Sequence, residues 1–427
     1  MTSTASQISF PLPAMFCRDN LEVLRGLNST SVDLIYLDPP FNKGKEFNAP
    51  VGSKASGASF SDIWSEDMVK ENQFLELADT HPALFRYIDG VEGVASRSAK
   101  WYLIFMAVRL VEMHRVLKDT GSIYLHCDPT ASHYLKPLMD GIWGHGNFRN
   151  EIVWAYRTGG VSKKYWPRKH DILLFYSKTA KYDKQHKPIQ ERVYYETGFF
   201  GTSTDEEGRQ YTDVYVRDVW EGLSHEIDNG SIRPVNIKPL INTSRERVDY
   251  PTQKPLALLE RIVRASSEPG DLVLDPFCGC ATTCVAAHLH DRQWIGVDVS
   301  PRAYELVQER LNQQTSQGRL EQGKVPEVYY SEDIPLRSDI GTLKPLTGKH
   351  KTAELSRLYG EQGGHCNGCG THFEKQHLTI DHKIPKSVGG TDHPDNLQLL
   401  CHHCNSTKGN RPMEYLQTRI RLRESGR

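Results

Sequence analysis

Long apolar runs are absent from this sequence of 427 residues. No stretch approaches the roughly 20 consecutive apolar residues that a membrane-spanning helix requires. The first residues, MTSTASQISFPLPAMF, contain no basic residue ahead of a hydrophobic block, so a secretion signal is not expected. With 38% hydrophobic and 25% charged residues, the composition is typical of a soluble globular protein. We predict a cytoplasmic location and no membrane partner.

The sequence also has little net charge, which is −1 at pH 7. That value conceals a division between two parts of the chain. Residues 343–427 contain 13 basic and 8 acidic residues, a net charge of +5, whereas residues 1–342 contain 39 and 45, a net charge of −6. The basic part also holds 8 of the 18 histidines. A small basic domain attached to a mildly acidic body predicts an anionic partner for the C-terminal part.

Cysteine is scarce and unevenly placed. Three of the nine cysteines lie at positions 278, 280 and 284, and four form two C-x-x-C pairs near the end of the chain. In a chain with no expected secretion signal, this pattern favours a reducing compartment. We therefore expect packing or metal-binding roles for the thiols instead of disulfide bonds.

Hydrophobic spacing divides the chain into segments. The first 150 residues and residues 255–312 alternate short β-type runs with helical patterns, which predicts a parallel α/β fold. Within them, residues 31–38 and 121–128 predict strands, and residues 98–121 predict a helix. Residues 151–250 are aromatic and rich in glycine and charge, with weak periodicity. Residues 313–354 resemble a linker, and a small cysteine-bearing domain is expected over 355–427.

The peptide LIYLDPPFN, residues 34–42, ends an apolar run in the carboxylate of Asp38. Ligands of open α/β sheets bind beyond the carboxyl ends of the strands. Pro39 and Pro40 stiffen the backbone and lack N–H groups, so carbonyl oxygens remain as acceptors beside the ring of Phe41. This corner suits a planar group with two N–H donors, such as the exocyclic amine of a nucleobase. The alternative is a strand that ends in a proline-rich turn without further function.

A second motif, DLVLDPFCGCATT at 271–283, follows another strand, which ends in Asp275. The next strand, WIGVDVS, carries Asp298 near its carboxyl end. Doubly wound folds bind a nucleoside with a glycine-containing turn after one strand and an acidic residue after the next. Together, the two motifs predict a nucleoside cofactor beside an amine-binding corner.

These segments resemble the DNA amino-methyltransferases that use S-adenosylmethionine, in the permuted order in which the catalytic motif precedes the cofactor motif. The resemblance covers residues 14–312 and includes CRDNLEVLRGL (17–27) and YPTQKPLALLERIV (250–263). It implies a Rossmann-like methyltransferase sheet, with residues 151–250 as an inserted target-recognition region. Ala281 departs from the family pattern, which usually has a second glycine at that position.

The resemblance also implies residue roles. A flipped base would be gripped by Asp38, Pro39, Pro40 and Phe41, and S-adenosylmethionine would be held by Asp19, Lys254, Asp275, Phe277, Gly279 and Asp298. Two acceptors that bind the N–H groups of the amine favour a pyramidal nitrogen. The lone pair of this nitrogen attacks the sulfonium methyl group of S-adenosylmethionine in line. The resemblance implies that the substrate is double-stranded DNA, whose base has to be extruded before it can react. Much of the rate would come from positioning. The Asp-Pro-Pro-Phe form favours adenine over cytosine within the family.

Basic and aromatic residues alternate early in the 151–250 region. The basic ones are Arg157, Lys163, Lys164, Arg168 and Lys169, and the aromatic ones are Tyr156, Tyr165 and Trp166. Phosphate contacts and base stacking require these residue types, which predicts a DNA-contacting segment. The alternative is a solvated loop whose aromatic residues are partly packed.

The two C-x-x-C pairs are separated by 31 residues and comprise Cys366, Cys369, Cys401 and Cys404. Four thiolates arranged in two such pairs form a closed tetrahedral zinc site, and sites of this kind are usually structural. We predict a structural Zn²⁺ ion in the C-terminal domain.

Between and after these pairs, LTIDHKIPKSVGGTDHPDNLQLLC and CNSTKGNR resemble the HNH endonucleases, whose core is a ββα-metal fold. The resemblance implies that His382 is the general base acting on water, for which a pKa near neutrality is suitable. Asp381 and Asn405 would hold Mg²⁺ or another divalent ion, which prefers oxygen ligands. Asn396 would brace the loop that carries His382. The alternative is a zinc ribbon that only binds DNA.

The sequence therefore predicts a DNA methyltransferase domain over 14–312, a linker over 313–354 and an HNH nuclease domain over 355–427. One chain would then modify and cut DNA, as restriction–modification systems do. Two rivals stay open: a solitary methyltransferase whose zinc-binding tail only binds DNA, and an RNA-processing enzyme that uses the same amine chemistry. The sequence leaves the recognition site and the formation of a homodimer open.

Overall fold

The structure is a computed structural model that describes most of the chain. The described residues are 8–50, 52–65, 73, 77–78, 80–156, 162, 164–198, 201–228, 230–241, 244–321, 323, 325–337, 339, 348–383, 385, 396–411 and 413–424. They form two compact units, one of Met1–Ile63 with Val111–Leu336 and the other of Trp64–Leu110 with Arg337–Arg427. Within the described part, no helix combines the length and apolar character needed to cross a membrane.

Eighteen strands are delimited within the described residues. They are β1 (Ala14–Cys17), β2 (Val32–Leu37), β3 (Glu46–Asn48), β4 (Ser59–Ser61), β5 (Leu117–Cys127), β6 (Phe148–Ala155), β7 (His170–Ser177), β8 (Gln190–Tyr195), β9 (Ser203–Thr204), β10 (Gln210–Tyr215), β11 (Val219–Glu221), β12 (Leu223–Asp228), β13 (Ser231–Asn236), β14 (Leu272–Asp275), β15 (Gln293–Asp298), β16 (Tyr329–Ser331), β17 (Leu378–His382) and β18 (Leu397–Cys401).

The α-helices that these residues delimit are α1 (Asn20–Gly26), α2 (Pro82–Val94), α3 (Arg97–Val116), α4 (Ser132–Trp143), α5 (Leu256–Ser266), α6 (Thr282–Leu289), α7 (Arg302–Ser316), α8 (Gly348–Glu361), α9 (His402–Lys408) and α10 (Met413–Glu424).

The first unit is built on a nine-stranded sheet with the order β11-β6-β7-β5-β2-β14-β15-β1-β16. Its central strands β5, β2, β14, β15 and β1 pair in parallel, and β7 is antiparallel to both of its neighbours. Every residue of β2 and β14 is buried, as expected for parallel strands covered on both faces. The predicted Rossmann-like α/β sheet is confirmed.

Helix α5 shows how apolar spacing secures the helices on this sheet. Leu256, Leu259, Ile262 and Val263 follow one another at helical intervals and are all buried in the same core cluster as strands β2 and β14. The same cluster includes residues of α6 and α7, so this face of the sheet is sealed by apolar side chains. The polar residues at the carboxyl ends of the strands are thereby held in fixed positions.

A second, antiparallel sheet lies within residues 190–236, in the order β13-β12-β8-β10-β9. It is anchored to α5 by the fully buried carboxylate of Glu226 on β12. Glu226 accepts hydrogen bonds from Arg261 (2.7 Å) and Arg264 (2.6 Å), both of which lie on α5. A buried carboxylate needs such partners because its desolvation is costly.

The boundary between α3 and β5 differs from the sequence prediction. We expected the helix to continue to residue 121, but α3 ends at Val116 and β5 begins at Leu117. Pairing with β2 overrides the helical pattern, because Val32 is aligned with Leu117 and Ile35 with Ile123. The helical spacing of the apolar residues in 98–121 does not indicate that residues 117–121 pair with another strand.

In the second unit, strands β17 and β18 pair antiparallel and helix α9 follows directly. Their apolar residues form a small core with α8 and α10 that includes Leu358, Leu378, Leu399 and Leu416. The two strands and α9 give the ββα arrangement that the sequence predicted. Residues 386–395 of the predicted HNH motif, including its Gly-Gly turn, lie outside the described residues.

Candidate active site and metal centre

Four acidic residues follow neighbouring parallel strands of the large sheet. Asp38 lies just beyond β2, Asp275 ends β14, Asp298 ends β15, and Asp19 follows β1. The registers Leu274↔Ile35, Asp275↔Gly296 and Cys17↔Asp298 place these strand ends at one edge of the sheet. The two sequence motifs are therefore brought together, and a ligand held by one would face the other.

The carboxylate of Asp38 is held by Lys254. The Lys254 ammonium donates a hydrogen bond to Asp38 Oδ2 and a second one, of 3.3 Å, to the carbonyl of Thr252. The side chains of Lys254 and Asp38 are 8% and 17% exposed, so the ion pair is largely screened from water. Resemblance assigned Lys254 to the cofactor, whereas its nearest polar partner in the structure is the carboxylate of the Asp-Pro-Pro-Phe corner.

Phe41 is buried and lies in a stacked arrangement on His126, with ring centroids 6.2 Å apart and an interplanar angle of 14°. The ammonium of Lys254 lies 5.6 Å and that of Lys43 lies 4.8 Å from the centroid of the Phe41 ring. Pro39 is buried and Pro40 is partly buried. In this corner, a packed aromatic ring with two ammonium groups near it therefore forms a wall next to the Asp38 carboxylate.

A buried polar network supports this wall. The Tyr36 hydroxyl lies 2.9 Å from His126 Nδ1, and His126 Nε2 lies 3.2 Å from Asp171 Oδ2. Tyr156 donates a hydrogen bond of 3.2 Å to the other oxygen of Asp171. Burial opposes ionisation of Asp171, but the hydrogen bond to His126 and nearby positive charges, including Lys254, lower its pKa to about 2. Asp171 thus holds the buried ring of His126 behind Phe41.

The loop after β14 turns tightly at Gly279. Gly279 has a φ of +50°, and a Cβ at this position would lie 2.8 Å from the Tyr250 ring. Its N–H donates a hydrogen bond of 2.9 Å to Asp298 Oδ2, and the N–H of Ser300 donates one of 2.8 Å to Asp298 Oδ1. Burial raises the pKa of Asp298. A tight glycine turn joined to an acidic strand end fits the nucleoside of S-adenosylmethionine.

Ala281 occupies the left-handed region with a φ of +58°, immediately before α6. The family glycine is favoured at this position because glycine adopts positive φ without a Cβ clash. The turn is held from α7 by the fully buried Arg310, whose Nη1 donates hydrogen bonds of 2.7 Å to the Cys280 carbonyl and to Thr282 Oγ1. The alanine is therefore accommodated with the turn intact.

Asp275, Phe277 and Asp19 have structural partners at the same edge. Burial raises the pKa of Asp275 to about 7, and one of its oxygens accepts a hydrogen bond of 3.1 Å from the N–H of Phe277. Asp19 caps α1 by accepting a hydrogen bond of 2.8 Å from the N–H of Leu21. Next to it, Asn20 Nδ2 donates a hydrogen bond of 2.7 Å to the Pro276 carbonyl, which joins the start of α1 to the glycine loop.

Residues 164–168 of the predicted DNA-contacting segment are exposed. The side chains of Tyr165 and Trp166 are 66% and 93% exposed, and Lys164 and Arg168 are also exposed. Lys169 is partly buried. Two members of the predicted set, Arg157 and Lys163, lie outside the described residues.

The four cysteines of the C-terminal pairs converge. The sulfur atoms of Cys366, Cys369, Cys401 and Cys404 all lie within 4.8 Å of one another, and none forms a disulfide. Backbone N–H groups of Gly368 and Cys401 donate hydrogen bonds of 3.4 and 3.2 Å to the Cys366 sulfur. The cluster is compatible with tetrahedral Zn²⁺, whose ligands are thiolates at about 2.3 Å.

Asp381 and His382 end β17 and are both partly buried. Asn405 donates a hydrogen bond of 2.9 Å to Thr379 Oγ1, and Thr379 shares a strand face with Asp381 because side chains alternate along β17. The Asn396 carbonyl accepts a hydrogen bond of 2.7 Å from the N–H of Lys383, next to His382. A carboxylate on β17 and an amide that reaches the same strand face from α9 suit a hard divalent cation.

Two residues that the sequence analysis did not select support this pair. Lys408, which is buried on α9, has its ammonium 3.0 Å from Asp381 Oδ2 and donates a hydrogen bond of 2.7 Å to the His382 carbonyl. The fully buried Gln398 donates to Asp381 Oδ2 (2.9 Å) and accepts from Asn367 Nδ2 (2.7 Å), which lies between the first two cysteines. A polar residue within an apolar strand was the available signal for Gln398.

In the first unit, the residues that sequence analysis missed are His126, Asp171, Tyr250 and Asp62. His126 lies within the apolar run GSIYLHCD, where a buried histidine needs polar partners, and this was a readable signal. Tyr250 begins the segment YPTQKPLALLERIV, which contributes to the resemblance, but its contact with Gly279 is a tertiary one. Asp171 and Asp62 are identified only by tertiary contacts.

Known proteins match both parts of this chain in sequence. A family model described as DNA methylase matches residues 32–309, and one described as HNH endonuclease matches residues 366–411. The chain is 28% identical over 300 residues to the type II methyltransferase M.HpaI of Haemophilus parainfluenzae, covering 70% of this chain and 74% of that protein. It is 28% identical over 297 residues to the DNA adenine methyltransferase YhdJ of Escherichia coli (strain K12), covering 69% and 81%.

A solved structure also aligns with most of this chain. A DNA modification methylase from Thermus thermophilus, complexed with S-adenosyl-L-methionine, aligns with a TM-score of 0.38 and 18% identity over 74% of this chain and 99% of that one.

Proposed function

The chain belongs to the DNA methylase family, and on that premise we propose that it transfers a methyl group from S-adenosylmethionine to the N6 amine of adenine in double-stranded DNA. One observation carries the proposal: the Asp38 corner and the Gly279 loop follow the adjacent parallel strands β2 and β14. A base held at the first loop would therefore face a nucleoside held at the second.

The chain's own residues would act mainly by positioning. Asp38 and the Pro39 carbonyl accept hydrogen bonds from the two N–H groups of the amine. These bonds direct the lone pair of the amine nitrogen away from the base ring. Phe41, backed by His126, stacks on the extruded base. Gly279 and Asp298 hold the nucleoside of the cofactor, with Asp19, Asp275, Phe277 and Lys254 completing the edge. Bound S-adenosylmethionine supplies an electrophilic methyl group on its sulfonium centre.

Two features support adenine as the base. The Asp-Pro-Pro-Phe form is typical of the adenine-specific branch by resemblance, and the relative YhdJ is named as a DNA adenine methyltransferase. We test the choice by digesting DNA from expressing cells and measuring N6-methyladenine and N4-methylcytosine by mass spectrometry. N6-methyladenine is expected, and N4-methylcytosine alone would assign the other base. Transfer to RNA but not to DNA would establish an RNA substrate instead.

Recognition of the DNA would involve the exposed segment 164–168 and the five-stranded sheet. A cleft beside this sheet is lined by six basic residues, of which Arg217, Lys238, Arg245 and Arg319 suit phosphate contacts. Five acidic residues also line it, namely Glu191, Asp218, Glu221, Glu246 and Glu260. Long-read sequencing of DNA from expressing cells gives the modified base and its sequence context at once. A fixed context around each modified adenine is the expected result.

The ββα arrangement of β17, β18 and α9 favours a second activity. We propose that this part of the chain is a metal-dependent DNA endonuclease, in which His382 activates water and Asp381 and Asn405 hold Mg²⁺. The supporting observation is that Lys408 and Gln398 fix Asp381 beside His382 in the ββα unit. A structural Zn²⁺ at the four cysteines would hold the two halves of this unit together.

The nuclease proposal is tested with purified full-length protein, plasmid DNA and Mg²⁺. Cleavage or nicking should be lost in His382→Ala and kept in His402→Ala, an exposed histidine at the start of α9, while both variants still transfer methyl groups. If neither methylated nor unmethylated DNA is cut, the tail is a zinc-dependent DNA-binding module. If cleavage depends on methylation at the chain's own sites, the protein acts as a single-chain restriction–modification enzyme. We expect the protein to work in the cytoplasm.

A further inference from the structure

The loop that follows Asp38 is held by a residue outside both sequence motifs. Asp62, which is 1% exposed, follows strand β4. Its carboxylate accepts three consecutive backbone N–H groups, from Phe41 (3.2 Å), Asn42 (2.6 Å) and Lys43 (2.9 Å). A buried carboxylate with this many N–H donors is strongly bound, because each charge-assisted bond is stronger than a neutral one. The loop therefore closes around Asp62.

The backbone conformation of the loop depends on this carboxylate. Asn42 has a φ of +61°, a left-handed conformation that is unfavourable for most residues with a side chain. Successive N–H groups in such a turn converge into a concavity that binds an anion, and the Asp62 carboxylate fills it. Two backbone hydrogen bonds also hold Asp62 against this loop. The Gly44 N–H donates to the Asp62 carbonyl (2.9 Å), and the Asp62 N–H donates to the Lys45 carbonyl (2.9 Å).

Asp62 also belongs to a hairpin that reaches the cofactor loop. Strands β3 and β4 pair antiparallel, with Phe47 stacked on Phe60 at 4.8 Å. Between them, Ala49, Ala55 and Ala58 are buried in one cluster with Cys280 of the loop after β14. Arg302 at the start of α7 donates a hydrogen bond of 3.0 Å to the Lys54 carbonyl. One end of the hairpin thus contacts the base corner and the other end packs on the cofactor loop.

We infer that Asp62 is a positioning residue for methyl transfer: through the N–H groups of residues 41–43 it sets the place of Phe41, and with it the base, relative to the cofactor loop. The inference rests on the proposed methyltransferase function. Asp62 acts through the backbone N–H groups of residues 41–43, so its loss should reduce the rate of transfer while the cofactor still binds. A purely structural residue would instead lower thermal stability without a selective effect on turnover.

The test uses the full-length protein, tritiated S-adenosylmethionine and genomic DNA from a methyltransferase-deficient host. Asp62→Asn keeps the size of the side chain but turns an NH₂ donor or a neutral oxygen toward three N–H donors. We expect kcat for methyl transfer to fall about 100-fold, as a misplacement near 1 Å can cause. The dissociation constant for S-adenosylmethionine, measured by calorimetry without DNA, should change less than about threefold, because cofactor contacts are unchanged.

Asp33→Asn is the matched control. Asp33 is also a buried carboxylate, 3% exposed, that accepts a backbone N–H (Leu272, 3.0 Å) and pairs with Lys118, but it lies at the opposite, amino end of β2. We expect it to lower the melting temperature with kcat kept within about twofold. Asp62→Glu, which keeps the charge on a longer arm, should give an intermediate kcat.

The outcomes separate the inference from the proposed function. If the wild-type chain transfers no methyl group, the proposed function fails. If the wild type is active and Asp62→Asn matches it, or loses kcat and cofactor affinity together, the inference is overturned. If neither Asp62 variant folds while Asp33→Asn does, Asp62 acts in stability and the inference is again overturned.

Discussion

The ammonium of Lys254 donates a hydrogen bond to the carboxylate of Asp38, although the two residues are 216 positions apart in the chain. Lys254 immediately precedes Pro255 and α5, and Asp38 immediately follows β2. The contact therefore ties the segment before the cofactor-side helix to the corner that would accept the base amine. A cation at this place also balances the negative charge of Asp38 at the sheet edge where Asp275 and Asp298 also lie.

Replacing Lys254 by methionine should reduce methyl transfer. The Asp38 carboxylate would lose the donor that fixes its orientation, so the rate in a tritium-transfer assay should fall about 10- to 100-fold. Lys136→Met is the control, because Lys136 also forms a partly buried ion pair, with Asp140, but within α4. A Lys254→Met variant with the wild-type rate would show that the ion pair does not contribute to catalysis.

The pH dependence of stability should report Asp275. Its pKa is about 7 in the folded chain and near 3.8 when unfolded, so the folded state binds the proton more tightly. Protonation of Asp275 therefore contributes stability that is complete below about pH 4 and is lost as the pH rises through 7. The melting temperature of Asp275→Asn, relative to wild type, should thus be higher at pH 8 than at pH 5.

Asp171 should show the opposite trend. Its pKa of about 2 lies below the unfolded value of 3.8, so its ionised form contributes stability above about pH 4 that is lost as the pH falls toward 2. Asp171→Asn should therefore be less stable than wild type at pH 7, and the gap should narrow on acidification. Melting temperatures of the two variants, relative to wild type, are measured by thermal unfolding over this pH range. If both differences changed with pH in the same direction, these assignments would be contradicted.

Ala281→Gly should stabilise the protein. A left-handed φ costs a residue with a Cβ about 1–2 kcal/mol, part of which is offset by the greater backbone entropy of unfolded glycine. A net gain of about 1 kcal/mol in the free energy of unfolding is expected from urea titration. Ala286→Gly, within the adjoining helix α6, should instead destabilise by about 1 kcal/mol or more, since there glycine only lowers helix propensity and packing.

The purified chain should contain one Zn²⁺ ion. Elemental analysis should find one zinc per chain in the wild type and close to none in Cys404→Ser, because the four sulfur atoms act as one ligand set. Cys127→Ser, which alters a buried thiol outside the cluster, should keep the full zinc content. Equal zinc in both variants would place the metal elsewhere or leave the cysteines as packing residues.

Sequence patterns were informative where function depends on local structure. Asp38, Asp275 and Asp298 each follow a buried strand, so their position at the strand ends follows from the apolar runs before them. The four cysteines were predicted to converge because C-x-x-C spacing is itself the signal of a metal-binding pair. The sequence did not identify Asp62, whose three N–H partners lie about 20 residues away across a hairpin. It also placed the end of α3 too late, because pairing of Leu117 with β2 is a tertiary effect.

The most direct test of the central claim compares two quantities in Asp38→Ala: the dissociation constant for S-adenosylmethionine and the single-turnover rate of methyl transfer to DNA. If Asp38 grips the base beside a separately built cofactor loop, the variant should bind S-adenosylmethionine within about twofold of wild type and transfer methyl groups at least about 1,000-fold more slowly, as expected when a group acting on the reacting atom is removed. An Asp38→Ala variant that still methylates DNA at a rate near that of the wild type would contradict the account.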